Sequence, residues 1–444
     1  MAWGIIIGLV LIYALYAPIA ELIFHMLHVG TLYKGTPTER KIGLTFDDGP
    51  DPRYTPQVLQ ILDEHDAKAT FFVVGAQAEQ FPNIVREIVA EGHEVAIHGD
   101  KHRHAWLLDP IATYRDLKAA MNTIASISGH QMRYYRPPWG AFNIMTRAAA
   151  AHFKLTPVLW SSRAKDWYAG HYAKEIVQRV VNEAHPSGIV LCHDAGGADG
   201  APLNTIEALP TILTELKALG YAFTTVSDIH QSMRSHRAMV RQLFAHYPWY
   251  RKLWISLWEI VEVTFARYYH VEPLNTMFRF SPAKWDHGSR LDPDTGMEQI
   301  HDGAQAIDLH FRNDTAVTLS ASHDNRALVR GLRLVKQGFG DLARVLEHDP
   351  KYHDVQVVVA TTLMNRGMEM LGFHVEGLPD TRKTRRLQRY MRFLMGLYHP
   401  EGFSRLHHGR HNLELKLIWM TRDELIARYG EHKAVRGREK VHSK

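Results

Sequence analysis

Cysteine is nearly absent from this chain: Cys192 is the only one among 444 residues. That excludes an intramolecular disulfide framework and a cysteine-built zinc ribbon, so any metal must be held by His, Asp or Glu. Charge is missing from the opening stretch, where Ala2 to Ala20 contains no Asp, Glu, Lys or Arg. As a helix rising about 1.5 Å per residue, this run spans roughly 28 Å, close to the thickness of a hydrocarbon core. No Lys or Arg precedes it and no A-x-A cleavage site follows it, which favours a membrane anchor over a cleaved signal peptide or a buried core helix.

What is present is an ordinary globular composition, with 45% hydrophobic and 22% charged residues and length for two or three domains. The net charge of +5 is uneven: from Arg382 onward sixteen Lys and Arg face six Asp and Glu, so the preceding residues are net acidic. The Arg382-Lys383 and Arg385-Arg386 pairs recur at helical spacing beside Leu387, Tyr390, Met391 and Leu394, which reads first as a solvated helix face. The alternative is contact with an anionic surface, such as phospholipid headgroups or a charged cell-wall polymer. No binding motif accompanies the charge, so nucleic acid is not expected as a partner.

From Lys41 onward, short apolar runs alternate with longer helical patterns, the pattern of repeated βα units. The strand candidates are 42–46, 69–74, 94–97, 132–135, 156–160, 188–192 and 222–226, with helices at 56–65, 84–91, 111–127, 173–184 and 204–219. Seven such units predict an α/β barrel. Its strand ends carry the polar clusters Thr45-Phe46-Asp47-Asp48-Gly49-Pro50, His98-Gly99-Asp100-Lys101-His102, Arg136-Pro137-Pro138-Trp139-Gly140 and Leu191-Cys192-His193-Asp194. Parallel α/β barrels gather their sites at the carboxyl ends of the strands, so these clusters predict one shared pocket. Adjacent side chains on a strand face opposite ways, so Asp47 and Asp48 suggest a division of labour in which one carboxylate holds a metal and the other handles protons.

Taken together and in this order, the clusters resemble the NodB-type polysaccharide deacetylases, carbohydrate esterase family four, over roughly residues 40 to 230. The resemblance implies a distorted (β/α)7 barrel that removes N-acetyl groups from amino sugars of a cell-envelope or extracellular polysaccharide. It implies a divalent metal, zinc first with cobalt or nickel as alternatives, on Asp48, His98 and His102. Asp47 is then the general base and His193 the general acid that protonates the departing amine. Arg136, Trp139, Asp166, Trp167 and Leu191 are expected around the substrate: Arg136 to orient Asp47, the two Trp as flat faces for a sugar ring, and Leu191 against the acetyl methyl. The rival readings are a metal-dependent amidase or O-acetyl esterase acting on a small molecule or xylan, and a non-catalytic glycan-binding module.

Three departures from the family pattern stand out. Gly99 replaces a hydroxyl residue after the first metal histidine, with weaker metal binding expected. Trp139 replaces a Tyr. Arg163 replaces the first Asp of Asp-x-x-Asp-Trp, so His193 loses its support unless Asp166 supplies it. Cys192 is not expected as a nucleophile, because it should point away from the pocket if His193 points in.

Past Ile229 the pattern changes. Tyr250, Trp254, Trp258, Val261 and Phe265 fall on one helical face, expected to pack against a neighbouring domain, with a membrane interface as the alternative. Ser281-Pro282 and Asp292-Pro293-Asp294-Thr295-Gly296 read as linker and turn. A second α/β unit follows, with strands at 306–311, 355–360 and 413–419 and helices at 327–346, 382–398 and 422–429. Its His301, His310, His323, His407, His408 and His411 carry no ligand spacing. The expected organisation is an anchor over 1–35, a deacetylase domain over 36–232, an aromatic helical linker over 233–296, an accessory domain over 297–430 and a basic tail over 431–444. Lys34, Arg40 and Lys41 follow the apolar run, so positive-inside bias points the enzyme to the cytoplasm. The resemblance points to the other side, and a single-pass membrane protein with an extracytoplasmic catalytic domain is the reading adopted.

Overall fold

Runs of β-branched and aromatic residues form the strands of the first half, and the amphipathic stretches between them form helices that cover one face of the sheet. The structure, a computed structural model, describes residues 2–430 apart from 37–39, 169, 171, 276, 292–296, 313–324, 364, 366, 400–401 and 405–413. The turn expected at 292–296, His323, His407, His408, His411 and the tail 431–444 lie outside the described residues. The chain divides into two units, Met1–Ser235 and His236–Lys444.

In the first unit α1 (Ala2–Tyr16) and α2 (Pro18–Glu21) precede a sheet of β1 (Lys41–Asp47), β2 (Thr70–Val73), β3 (Glu94–Ile97), β4 (Tyr134–Tyr135), β5 (Thr156–Pro157), β6 (Ser162–Arg163), β7 (Gly188–His193) and β8 (Ala222–Thr224). The strand order is β5-β4-β3-β2-β1-β7-β6, with β8 also on β1, and every pairing is parallel. The intervening helices are α3 (Thr55–Glu64), α4 (Gly75–Gln80), α5 (Pro82–Ala90), α6 (Pro110–Ser128), α7 (Ile144–His152), α8 (Ala173–Glu183), α9 (Ala201–Ala218) and α10 (Val226–Leu243). This is a parallel β/α half-barrel.

The strand expected over 156–160 is shorter, ending as β5 at Pro157, and β6 follows only at Ser162, because the chain changes partner between them. The Val158 N–H bonds to Tyr135 of β4, the Leu159 N–H to Leu32, and the Ser161 N–H to Ile189 of β7. Leu32, just past the apolar helix, thus bridges the gap between β5 and β6 and is itself buried.

Alternation along the strands sorts the side chains into two layers. Leu44, Phe46, Phe71, Val73, Val190 and Cys192 face the helices in the main core. Phe72, Ala96, Tyr134, Val158 and Ile189 face the barrel interior, which Val226 and Ile229 of α10 help to fill. Burying a Val, Leu, Ile or Phe is worth about 1.5–3 kcal/mol, so this layering fixes the register, since a one-residue slip would invert both faces. Cys192 therefore points into the helix-side core, where burial pushes its thiol well above the usual range.

The second unit is a six-stranded sheet of β9 (Glu272–Pro273), β10 (Phe278–Lys284), β13 (Gln305–Phe311), β14 (Val357–Thr362), β15 (His374–Gly377) and β16 (Lys416–Thr421), beside a hairpin of β11 (Arg290–Leu291) and β12 (Glu298–Ile300). Helices Asn325–His348 and Arg422–Tyr429 contribute to its core. Two expectations are corrected. Ser281-Pro282, read as linker, lies inside β10; β9 pairs only with Arg279 and Phe280, so Pro282 falls where β10 has one partner strand and a missing N–H is tolerated. The aromatic stripe belongs to α11 (Trp249–Tyr268), and Tyr250, Trp254, Val261 and Phe265 are all about half exposed rather than packed. Of that face, Trp258 is the member set against a neighbour, Tyr390 of helix Arg382–Tyr398.

Candidate active site

Register brings the acid and base candidates together. Asp47, the last residue of β1, pairs with His193, the last of β7, and Thr45 pairs with Leu191, so all four side chains share the interior face. They meet a cleft of about 590 Å³ lined by Asp47, Asp48, His98, His102, Trp139, Trp160, Arg163, Trp167, Leu191 and His193, among others.

Asp48, His98 and His102 present one donor atom each within 4.8 Å of one another. Asp48 Oδ1 lies 2.9 Å from His102 Nε2 and 3.2 Å from His98 Nε2, and among the described residues no well-aligned hydrogen bond reaches this buried oxygen. The His98 Nδ1–H donates to the Arg136 carbonyl at 2.8 Å, which turns Nε2 toward Asp48. Two imidazole nitrogens and a carboxylate oxygen gathered this closely, with the other ring nitrogen of His98 anchored on a carbonyl, form a donor set that fits a divalent metal.

The backbone is bent to make this convergence. Asp48 (φ 75) and His102 (φ 48) both sit in the left-handed region, which costs non-glycine residues energy and is sustained by surrounding contacts. Asp116 supplies such contacts: its carboxylate accepts from the Asp100 N–H at 3.0 Å and from Arg103 at 2.9 Å, tying down the loop between the two histidines. Gly99 (φ 78) has its own reason. A Cβ there would lie 3.2 Å from Asp116 Oδ2 and 3.3 Å from Pro138 Cγ, so both the backbone and the space call for glycine.

Asp47 and His193 each have a dedicated partner. Arg136 is fully buried, and its Nη1 donates to Asp47 Oδ1 at 2.6 Å and to Thr45 Oγ1 at 2.9 Å while its guanidinium stacks on Phe72. Burial pushes the Arg136 pKa down, opposed by the Asp47 charge. His193 Nδ1 lies 2.8 Å from Asp166 Oδ1, and Asp166 Oδ2 accepts from the His193 N–H at 2.7 Å and from Thr205 Oγ1 at 2.8 Å. Burial alone would lower the His193 pKa, but the charge and hydrogen bond of Asp166, with Asp48 and Asp47 beyond, outweigh it and lift the value to about 9.

These positions correct two expected roles. Arg136 orients Asp47 as expected, but it and Asp166, both placed with the substrate contacts, are enclosed and outside the cleft lining; they hold Asp47 and His193 from behind. Of the two outcomes left open at Arg163, the structure has Asp166 supplying the support of His193, while Arg163 is exposed at the cleft. Trp139, Trp167 and Leu191 do line the cleft. Trp139 is 55% exposed and tilts over His102 at 4.3 Å, and Trp167 meets His193 edge-on at 5.3 Å.

Sequence reasoning missed several contributors. Gly196 (φ 67) follows the His193 cluster, and a Cβ there would come within 2.4 Å of Asp48 Oδ2. The Ala195-Gly196-Gly197 run is its visible signal. Asp116, Thr205 and His25 give none, since each acts across a long sequence separation.

Comparison with known proteins places these features in context. The polysaccharide deacetylase family profile matches residues 34–158, and the YkoP domain profile matches residues 251–429. A peptidoglycan-N-acetylglucosamine deacetylase of Bacillus cereus is 38% identical over 193 residues, covering 43% of this chain and 88% of the relative. A chitooligosaccharide deacetylase of Rhizobium leguminosarum bv. trifolii is 34% identical, covering 42% of this chain and 91% of the relative. Among solved structures, the peptidoglycan deacetylase PdaC from Bacillus subtilis is 30% identical, with 48% of this chain and 100% of that chain covered and a TM-score of 0.42.

Proposed function

The chain belongs to the polysaccharide deacetylase family, and from that premise we propose that it hydrolyses the N-acetyl groups of amino sugars in a cell-envelope polysaccharide, with peptidoglycan the leading substrate. The observation that carries this reading is the convergence of one donor atom each from Asp48, His98 and His102, flanked in the same cleft by Asp47 on Arg136 and His193 on Asp166.

Asp48, His98 and His102 would hold the metal, with zinc the best match to two imidazoles and a carboxylate. When bound, it supplies Lewis acidity, polarising the acetyl carbonyl and favouring ionisation of water. Asp47, oriented by Arg136, accepts the proton of the attacking water. His193, kept protonated by Asp166, gives its proton to the nitrogen as the carbon–nitrogen bond breaks, so acetate and a free amine leave. Trp139 and Trp167 offer faces to the sugar, and Leu191 closes the wall against the acetyl methyl.

We also propose that the chain is a single-pass membrane protein with its catalytic unit outside the cytoplasm. The support is helix Trp3–Met26, which among the described residues is the one long and apolar enough to cross a bilayer. In the second unit, the half-exposed aromatic face of α11 and the exposed Arg382, Lys383, Arg385, Arg386 and Arg389 of the helix it packs on suit an anionic phospholipid surface.

The deciding experiment is acetate release from N-acetylglucosamine oligomers and from acetylated xylan by the metal-reconstituted protein and its Asp47→Asn and His193→Ala variants. Turnover of the oligomers by the wild type alone is expected. Stoichiometric metal without turnover of any acetylated glycan would favour a binding module instead.

A further inference from the structure

The apolar N-terminal helix does not end before the enzyme begins. Its early side chains are bare, with Ile5, Leu9 and Ile12 each above 60% exposed, but Ala17 and Ala20 are buried. From there on the helix is part of the catalytic unit. The Tyr16 hydroxyl donates to the Leu108 carbonyl at 2.9 Å, Glu21 Oε2 accepts from the Phe142 N–H at 2.6 Å, and Phe24 packs on Phe142. The final turn, Leu22–Met26, widens to π-type bonding, with the Leu27 N–H reaching the Leu22 carbonyl. Such widened turns are frequent at functional sites.

That turn delivers His25 into the cleft. His25 lines it together with Trp139, Trp160 and His102, lies edge-on to Trp160 at 5.7 Å, and has its Nδ1 2.7 Å from Glu21 Oε1. A Cβ on Gly140 would lie 3.0 Å from His25 Cε1, so glycine makes room for the ring. Its side chain is 27% exposed, enough to meet a ligand.

The span Trp3–Met26 has 24 residues. Only α1, with 15 residues, is bare; at about 1.5 Å each it reaches roughly 22 Å, short of a hydrocarbon core of roughly 30 Å, so crossing it draws the docked end of the span and His25 down to the membrane surface. Exposed apolar side chains surround the docking point: Leu107 and Ile111 flank Leu108, and Ile144 opens α7, the helix against which α1 packs. Residues of this kind are at home in a bilayer interface.

On the deacetylase reading above, we infer that the end of the membrane helix forms a wall of the catalytic cleft, with His25 a substrate-contacting residue, and that the site selects an N-acetylated glycan tethered by a lipid to the same bilayer. No flexible linker separates helix and cleft, so the mouth is held at the membrane surface, where a lipid-borne sugar is concentrated and a soluble one is not.

The test uses the full-length, metal-loaded protein in lipid nanodiscs with an N-acetylglucosamine tetramer, either free or coupled to a phospholipid in the same disc. At equal bulk concentration the tethered tetramer should show kcat/KM higher by at least about tenfold, from its raised effective concentration. Leu107→Glu with Ile111→Glu should erase most of that preference while leaving the free tetramer unaffected. His25→Ala should raise KM for both forms by about fivefold, the worth of one hydrogen bond, with kcat little changed, and His25→Gln should recover part of it. Equal rates on free and tethered tetramer in the wild type, or an unmoved KM in His25→Ala, would overturn the inference. Binding of the two tetramers to the Asp47→Asn protein needs no turnover. A tethered preference there without acetate release from the wild type would support this inference while sinking the deacetylase reading.

Discussion

Replacing Asp166 with Asn keeps the shape of the support behind His193 and removes its charge. Asp166 is almost wholly enclosed and meets both the ring nitrogen and the backbone N–H of His193 at under 3 Å. An opposite charge at that range shifts a pKa by about 1–3 units. Taking about two units from a value near 9, His193 in the variant titrates near 7. At pH 8 the protonated, proton-donating fraction then drops from about nine-tenths to about one-tenth, whereas at pH 6 both proteins stay about nine-tenths protonated or more. The sign follows from the role: the charged form is the active one, so activity is lost as pH rises and recovered as it falls. A bound dication would lower both values together, so the quantity to read is the separation between the two proteins. Steady-state acetate release from pH 5.5 to 9.5 should show the basic limb of kcat/KM moved down by about two units, with roughly tenfold loss at pH 8 and little at pH 6. Coincident limbs, or a loss of the same size at every pH, would refute the reasoning and leave Asp166 with a structural role only.

Other perturbations reach neighbouring parts of the site. His98→Ala and Asp48→Ala should reduce bound metal from one ion per chain to near none by elemental analysis, while circular dichroism of the first unit stays unchanged. Arg136→Met leaves Asp47 buried without its partner and should cost about 3–5 kcal/mol in denaturant unfolding; an unaltered midpoint would mean that the pair is not buried as described. Gly196→Ala introduces a Cβ against Asp48 Oδ2 at a left-handed position, and should lower metal affinity and stability together, the latter by about 1–3 kcal/mol. Phe265→Glu with Trp254→Glu on α11 should reduce co-sedimentation of the second unit's surface with anionic vesicles, read in protein whose Trp3–Met26 span is shielded in a nanodisc; equal binding would remove the lipid contact proposed there.

The primary structure carried much of this by itself. Short apolar runs spaced by amphipathic stretches dictated the parallel βα order, because strand and helix periods are local properties of the chain. The clusters at Asp47-Asp48, His98 to His102 and His193 were readable for the same reason: each donor set is contiguous or one turn long. Tertiary structure alone decided what passes between distant segments. It set Arg136 behind Asp47 and chose Asp166 over position 163 as the partner of His193. It put Gly99 at a left-handed backbone position with little room for a side chain. It cut the expected fifth strand short where Leu32 enters, and brought His25 from the apolar helix into the cleft. The physical reason is common to all of these: a side chain's role depends on what is packed against it, and contacts across tens of residues are fixed by the curvature and strand order of the half-barrel rather than by any pattern along the chain.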